Sequence, residues 1–118
     1  MLTSPVPDLS PEQVAAVAPL VAIGGQSGDT VVGLSAVRRT RGLAFVFVDA
    51  SISDNTLSEL GRRRREGTRV LRVPSMPELA ARLGRTDVSV LGVKAGSLAA
   101  GLARKLQPGP SGELAAPT

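Results

Sequence analysis

The sequence predicts an α/β protein in which helices cover both faces of a sheet. Short apolar runs with the character of strands, at 43–48, 68–73 and 87–93, alternate with segments of helical periodicity. The first run, LAFVFV, is apolar without interruption, which is typical of a strand buried on both faces. Regular alternation of strands and helices favours a layered structure with short, right-handed connections.

Segments at the two ends bound the predicted domain. A chain of 118 residues is typical of one domain, which we expect to occupy residues 10–106. Residues 1–9, which contain two prolines, are expected to form a flexible lead. The sequence QPGPSGELAAPT at 107–118 has the composition of a disordered tail.

The first third of the chain contains two predicted helices. Ser10 and Gln13 have the spacing of a capping box, and Pro19 is expected to kink or end the helix that starts there, near Ala18. The glycine-rich sequence GGQSG at 24–28 follows as a break. A second helix is predicted over about 29–40.

Helices separate the strands in the rest of the chain. The turn DASISDNT should lead into a helix that runs to Glu66 and stops at Gly67. A second capping box, Ser75 with Glu78, predicts a short helix that ends near Gly84. The last strand precedes a helix over 96–106, whose basic last turn suits the helix dipole.

Composition excludes several classes of function. The sequence has no His, Cys, Tyr or Trp, so disulfides, thiol catalysis, cysteine- or histidine-ligated metal sites and histidine triads cannot be built. The stretch GGQSGDT lacks the Lys of a P-loop, and its Asp29 would repel a phosphate. The carboxylates, including Asp49 after the first strand, form no spaced acid–base pair. We therefore expect a non-enzyme without cofactor or metal.

Arginine is the main chemical signal. The chain has 14 Lys and Arg against 10 Asp and Glu, a net charge of +4, and twelve of the basic residues are arginine. The planar guanidinium suits phosphate. Arg38, Arg39 and Arg41 cluster at one predicted helix end and Arg62–Arg65 at another, where Arg69 and Arg72 could extend the cluster. A GC-rich genome and solvated helix ends would account for the same residues.

Two segments carry a resemblance to a known family. AVRRTRGLAFVFVDASISDNTLSEL at 36–60 and SMPELAARLGRTDVSVLGV at 75–93 resemble the ribosomal kink-turn RNA-binding proteins of the L-seven-Ae and L-thirty-e type, and among them the small bacterial members. The resemblance extends over about 14–106. It implies a three-layer α-β-α sandwich with a mixed sheet of about four strands, and binding of a sharply bent RNA.

The resemblance also implies which residues contact RNA. The family uses a glycine-led helix start, G-x-N-E-x-x-K, and an apolar loop before the last strand, which here reads GRTDV. Anchored on Gly28, the Asn, Glu and Lys of the motif fall on Thr30, Val31 and Leu34. Anchored on AVRR with a slip of one residue, they fall on Val31, Val32 and Ser35, so both registers lose the Glu and the Lys. The RNA-binding residues expected from the resemblance are Gly28, Asp29, Thr30, Leu34, Arg38, Arg39, Arg41, Arg85 and Thr86.

Two functions from different classes follow. The first is a non-catalytic RNA-binding protein associated with the ribosome or another structured RNA, monomeric when free, with ribosomal proteins as further partners. The second is a protein-interaction module on the same fold that has lost kink-turn recognition. A cytoplasmic protein with no membrane contact is expected, because no apolar run approaches 18 residues and the first residues lack the pattern of a secretory signal.

Overall fold

The structure, a computed structural model, describes residues 6–106. The α-helices of this range are α1 (Pro11–Ser27), α2 (Leu34–Arg39), α3 (Asp54–Gly61), α4 (Met76–Ala81) and α5 (Ser97–Lys105). Its strands are β1 (Thr30–Val32), β2 (Leu43–Asp49), β3 (Arg69–Val73) and β4 (Val90–Lys94). A 3-10 helix, Arg62–Glu66, continues directly from α3.

The four strands form one mixed sheet in the order β1-β4-β2-β3. β4 is antiparallel to both β1 and β2, and β3 is parallel to β2. A parallel pair joined through a helix beside antiparallel neighbours makes the sheet mixed, as the resemblance implies. The predicted fold class is therefore confirmed.

Helices cover both faces of the sheet. α2 and α3 lie on one face, where Val46 and Val48 of β2 point, and α1, α4 and α5 lie on the other, where Phe45 and Phe47 point. These four β2 side chains are at most 2% exposed, so the strand is buried on both faces as LAFVFV predicts. Both phenylalanines are thereby withdrawn from any surface that binds nucleobases.

Pro19 does not end α1, which runs on to Ser27. A proline inside a helix removes one backbone hydrogen bond and crowds the preceding turn. Val17, Ala18 and Val21 are at most 3% exposed on either side of it, so the buried face of the helix continues through the proline. Burial of these side chains outweighs the local cost, and the predicted early end of the helix is wrong.

The segment predicted as a helix over about 29–40 divides into a strand and a shorter helix. Thr30, Val31 and Val32 pair with β4, and α2 begins only after Gly33. β-Branched residues favour a strand when a partner strand is within reach. Gly33 has φ 98°, a conformation that L residues rarely adopt, and it turns the chain from the strand into α2.

Several local predictions are confirmed and others are wrong. The Ser10–Gln13 capping box is present, with both hydrogen bonds made, and Gly67 ends the 3-10 helix with φ 91°. At α4 the predicted capping box is wrong: no side chain caps this helix, and Ser75 accepts from the Glu78 amide through its backbone carbonyl. The last strand begins at Val90 rather than at residue 87.

Residues 6–9 of the predicted lead lie against β3. The amide of Arg72 donates to the carbonyl of Pro7 at 2.8 Å, and the amide of Leu9 donates to the carbonyl of Arg72 at 2.8 Å. Leu9 is 3% exposed, so apolar burial begins before residue 10. Residues 6–9 thus pack with the domain, although the boundary predicted at residue 10 leaves them outside it. Residues 1–5 of the lead and the predicted tail, 107–118, lie outside the described range.

Candidate nucleic-acid interface

Gly28, Asp29 and Thr30 do not stand at a helix start. Gly28 caps the C-terminal end of α1 with φ 87°, and the carbonyl of Asp29 accepts from the Lys94 amide at 2.8 Å. Thr30 is 7% exposed, and its hydroxyl donates to the Val21 carbonyl at 3.1 Å. The prediction that a helix begins at these three residues is wrong, because the Thr-Val-Val sequence pairs with β4 instead.

Gly33 is the glycine that precedes α2. Anchored on Gly33, the motif G-x-N-E-x-x-K places its Asn on Ser35, its Glu on Ala36 and its Lys on Arg39. This register differs from both registers expected from the sequence. It keeps a basic residue at the Lys position and a small polar side chain at the Asn position, whereas the Glu is lost.

One cleft is lined by Leu34, Arg85 and Thr86. The resemblance implied these residues at distant positions of the sequence. The cleft has a volume of about 540 Å³ and lies where the start of α2, the start of α3 and the segment before β4 converge. We call it the loop cleft. Its lining residues are Val32, Gly33, Leu34, Ile52, Ser53, Thr56 and residues 85–90.

The loop cleft combines apolar and polar groups. Leu34 and Ile52 are half-buried and also pack against the core below α2 and α3. The Thr56 hydroxyl accepts from the Ser53 hydroxyl at 2.9 Å, which leaves its own proton for an outside acceptor. The exposed Arg85 guanidinium adds a positive charge. Such a mixture suits a ligand that presents both flat apolar surfaces and hydrogen-bonding edges.

The backbone of residues 84–89 fixes the edge of the loop cleft. Gly84 has φ 69° and Asp87 has φ 57°, so two left-handed residues flank Arg85 and Thr86. Aspartate is among the few residues other than glycine that adopt this conformation at modest cost. The amide of Asp49 donates to the carbonyl of Ser89 at 2.8 Å, which ties the end of the segment to β2.

The predicted arginine clusters meet at the C-terminal ends of α2 and α3. Arg38, Arg39, Arg41, Arg63 and Glu66 line an open cleft of about 580 Å³. We call the group formed by Arg38, Arg39, Arg41 and Arg62–Arg65 the arginine surface.

Arg63 joins the two halves of the arginine surface. Its guanidinium donates to the carbonyl of Thr40 at 2.9 Å and to the carbonyl of Arg38 at 3.0 Å. These carbonyls lie at the C-terminal end of α2, where backbone acceptors have no partner within the helix. Arg63 therefore satisfies the end of α2 and fixes it beside the 3-10 helix.

Arg38 and Glu59 form an ion pair between α2 and α3. Nε and Nη2 of Arg38 each donate to one carboxylate oxygen of Glu59 at 2.8 Å. The hydrogen bond from Arg38 lowers the pKa of Glu59, and the charges of Arg38, Arg63 and Arg62 lower this pKa further. The same bond raises the pKa of Arg38. The side chains are 48% and 38% exposed, so the pair adds little stability but orients Arg38.

Arg69 and Arg72 do not extend the arginine surface. The Arg69 guanidinium lies 5.3 Å from the centre of the Phe45 ring, and this ring belongs to the face covered by α1, α4 and α5. Arg72 is paired with Asp8 at 2.7 Å, and this hydrogen bond lowers the pKa of Asp8. Both arginines therefore have contacts of their own.

Solved structures share this architecture. A protein with unknown function from Bacillus halodurans C is similar with a TM-score of 0.62 and 18% identity, over 77% of this chain and 96% of that chain. The Giardia lamblia 15.5kD RNA binding protein is similar with a TM-score of 0.68 and 18% identity, over 87% of this chain and 93% of that chain. The fold is of the L-thirty-e type. At 18% identity these likenesses show the fold alone.

No protein-family model matches the chain, and no curated protein sequence matches it.

Three residues of the loop cleft, Gly33, Ser53 and Thr56, are not among the RNA-binding residues expected from the sequence. Gly33 carried a usable signal, since a glycine that follows three β-branched residues marks the end of a strand. Ser53 lies in the predicted turn DASISDNT, and it caps α3 by accepting from the Thr56 amide at 3.2 Å. The position of Thr56 beside Arg85 depends on the sheet order, which local sequence does not encode.

Residues 6–106 contain neither a metal-binding cluster nor a membrane-spanning helix. No group of three acidic, cysteine or histidine side chains lies close enough to hold a metal ion. No helix in this range has the length and apolar character needed to cross a membrane.

Proposed function

We propose that this protein is a non-catalytic, cytoplasmic RNA-binding protein that recognises a folded RNA at the loop cleft. The observation that carries the proposal is the convergence of Leu34, Arg85 and Thr86. The resemblance places RNA contacts at a helix start and in the loop before the last strand, and the start of α2 and residues 85–88 line one cleft. The likeness to the Giardia lamblia 15.5kD RNA binding protein supports the same function.

The lining of the loop cleft suits an unpaired or bent segment of RNA. Apolar side chains such as Leu34 offer a surface for a nucleobase, and Thr86 and Thr56 offer hydroxyls for base edges or the ribose. Arg85 offers a guanidinium to a phosphate, while Asp87 repels phosphates and accepts from base amino groups. This arrangement favours recognition of RNA shape over recognition of a long sequence.

The resemblance extends the proposal to the class of RNA. We infer a kink-turn-like element of ribosomal RNA or of another structured RNA as the target, with ribosomal proteins as neighbours and a monomer as the free state. Arg39 stands at the Lys position of the motif in the register anchored on Gly33. A basic residue at this position supports contact with a strained RNA backbone.

A binding titration tests the proposal. The probes are a kink-turn RNA and a straight RNA duplex of equal length, each at about 50 and about 200 mM salt. We expect a preference for the kink-turn RNA that survives the higher salt and is lost in the double variant Arg85→Gln/Thr86→Val. Both positions are exposed, so this variant should fold normally.

Absence of binding to either RNA at the lower salt would overturn the proposal. The second function, a protein-interaction module on the same fold, would then replace it. Equal affinity of wild type and Arg85→Gln/Thr86→Val for the kink-turn RNA would show that the loop cleft does not read the bend.

A further inference from the structure

The arginine surface is separated from the loop cleft along the strands. The amide of Gly33, at the loop cleft, bonds to the carbonyl of Val90, and Leu43, which follows the arginines, pairs with Lys94. These levels are four residue steps apart along β4, a distance of about 13 Å at about 3.3 Å per residue. Both surfaces belong to the α2 and α3 side of the sheet. An RNA that extends beyond the loop cleft can therefore reach both surfaces.

The arginine surface is held together by contacts within the protein. Arg63 binds the end of α2, Arg38 binds Glu59, and Nε of Arg64 donates to the Gly61 carbonyl at 3.0 Å. Arg39 and Arg41 are exposed and form no ion pair with any residue of the described range. The surface thus combines a fixed frame with side chains that are available to a ligand.

Charge is strongly uneven over the molecule. The arginine surface contains seven arginines, and with Glu59 and Glu66 its formal charge is +5. Because the whole chain carries +4, the remainder carries −1. Concentration of positive charge on one side is the electrostatic footprint of a polyanion-binding protein. Arginine in place of lysine favours phosphate oxygens, which accept two parallel hydrogen bonds.

We propose that the arginine surface binds the phosphates of an RNA duplex arm, as a contact separate from the loop cleft. This inference rests on the proposed function, because it supplies the second half of an RNA footprint. The gap of about 13 Å spans several base pairs of an A-form RNA duplex. An arm that extends over this distance gains the second contact.

The test uses a straight 12-base-pair RNA duplex, which has no bend for the loop cleft to recognise. The arginine variant is Arg39→Gln/Arg41→Gln, which keeps the Arg38 ion pair and the Arg63 contacts. The matched control is Arg104→Gln/Lys105→Gln, which removes the same charge from exposed positions of α5 on the opposite face.

We expect the wild type to bind the duplex with steep salt dependence. The slope of log K against log salt should fall by about 1.8 in the arginine variant, since each phosphate contact contributes about 0.9. Between about 50 and 200 mM salt, the wild type should then lose about twelvefold more affinity than the variant. The α5 variant should bind the duplex like the wild type.

Three outcomes would overturn the inference. The wild type could bind the kink-turn RNA and not the duplex, which leaves the proposed function standing. The arginine variant could bind the duplex as tightly as the wild type. The α5 variant could lose as much affinity as the arginine variant, which would show that only net charge matters. Failure to bind the kink-turn RNA as well would mark failure of the proposed function itself.

Discussion

Substitution of Gly24 by alanine sets two effects of opposite sign against each other. Alanine inside α1 should stabilise the helix by about 1 kcal/mol relative to glycine. A Cβ atom at Gly24, however, would collide with the Thr30 hydroxyl oxygen and would come within 2.5 Å of Cδ2 of Leu98. The Thr30 hydroxyl cannot easily move aside, because it is buried and donates to the Val21 carbonyl.

The steric cost should exceed the gain in helix stability. Overpacking of a closely packed site costs about 1–3 kcal/mol. Displacement of the Thr30 hydroxyl also breaks a hydrogen bond with a net contribution of about 1 kcal/mol. After the helix gain of about 1 kcal/mol is subtracted, Gly24→Ala should lower the free energy of unfolding by about 1–3 kcal/mol.

Gly25→Ala is a matched control one residue along the same helix. Its Cβ would meet only Cδ2 of Leu83, at 2.6 Å, and this is the end of a half-buried, flexible side chain. The variant should be neutral or more stable by up to about 1 kcal/mol. Urea unfolding followed by circular dichroism measures both variants. If Gly24→Ala is as stable as Gly25→Ala, the close packing of α1 on β1 is refuted.

Three further predictions concern single side chains. Arg63→Met should lower the free energy of unfolding by about 1–2 kcal/mol, because the carbonyls at the end of α2 lose their donor. The variant should also weaken binding of the RNA duplex. An unchanged thermal unfolding midpoint would argue against the Arg63 contacts. Stability should fall as pH drops below about 4.5, since the pKa of Glu59 is lowered on folding from its usual 4.5 and the unfolded chain binds the proton more readily. Glu59→Gln should flatten this part of the stability curve, and an unaltered curve would contradict the pairing with Arg38. Asp87→Val should lower the free energy of unfolding by about 1–2 kcal/mol, because a β-branched residue is strained at φ 57°. Asp87→Gly should be nearly neutral, since glycine adopts this conformation freely. Equal unfolding midpoints for the two variants would exclude the left-handed conformation.

The layer structure could be predicted because its signals are local. The run LAFVFV marks β2 as a doubly buried strand, and Ser10 with Gln13 marks the start of α1. Hydrophobic periodicity and capping chemistry act over a few residues, so one sequence is enough to detect them. The resemblance supplied the fourth strand, which the apolar pattern alone did not show.

The errors arose where tertiary contacts override local preference. Three residues are too few for their apolar pattern to distinguish a strand from a helix. Thr30–Val32 is a strand because it pairs with β4. That one error placed the motif anchor on Gly28, whereas Gly33 is the glycine that precedes α2, and it assigned RNA contact to Thr30, which is buried. The loop cleft itself depends on strand order, which brings residues 85–90 beside α2 and α3.

The distribution of arginine also separates two explanations that the sequence left open. A GC-rich genome raises the number of arginines without selecting a face of the folded protein. Yet seven of the twelve arginines lie on 38–41 and 62–65, two segments that Arg63 holds together through the end of α2. Among the other α-helices of residues 6–106, the last turns of α1, α3 and α4 contain no basic residue, whereas that of α5 contains Arg104 and Lys105. Positive charge gathered at one place, in a molecule whose remainder is slightly negative, favours a surface that has a polyanion as its partner.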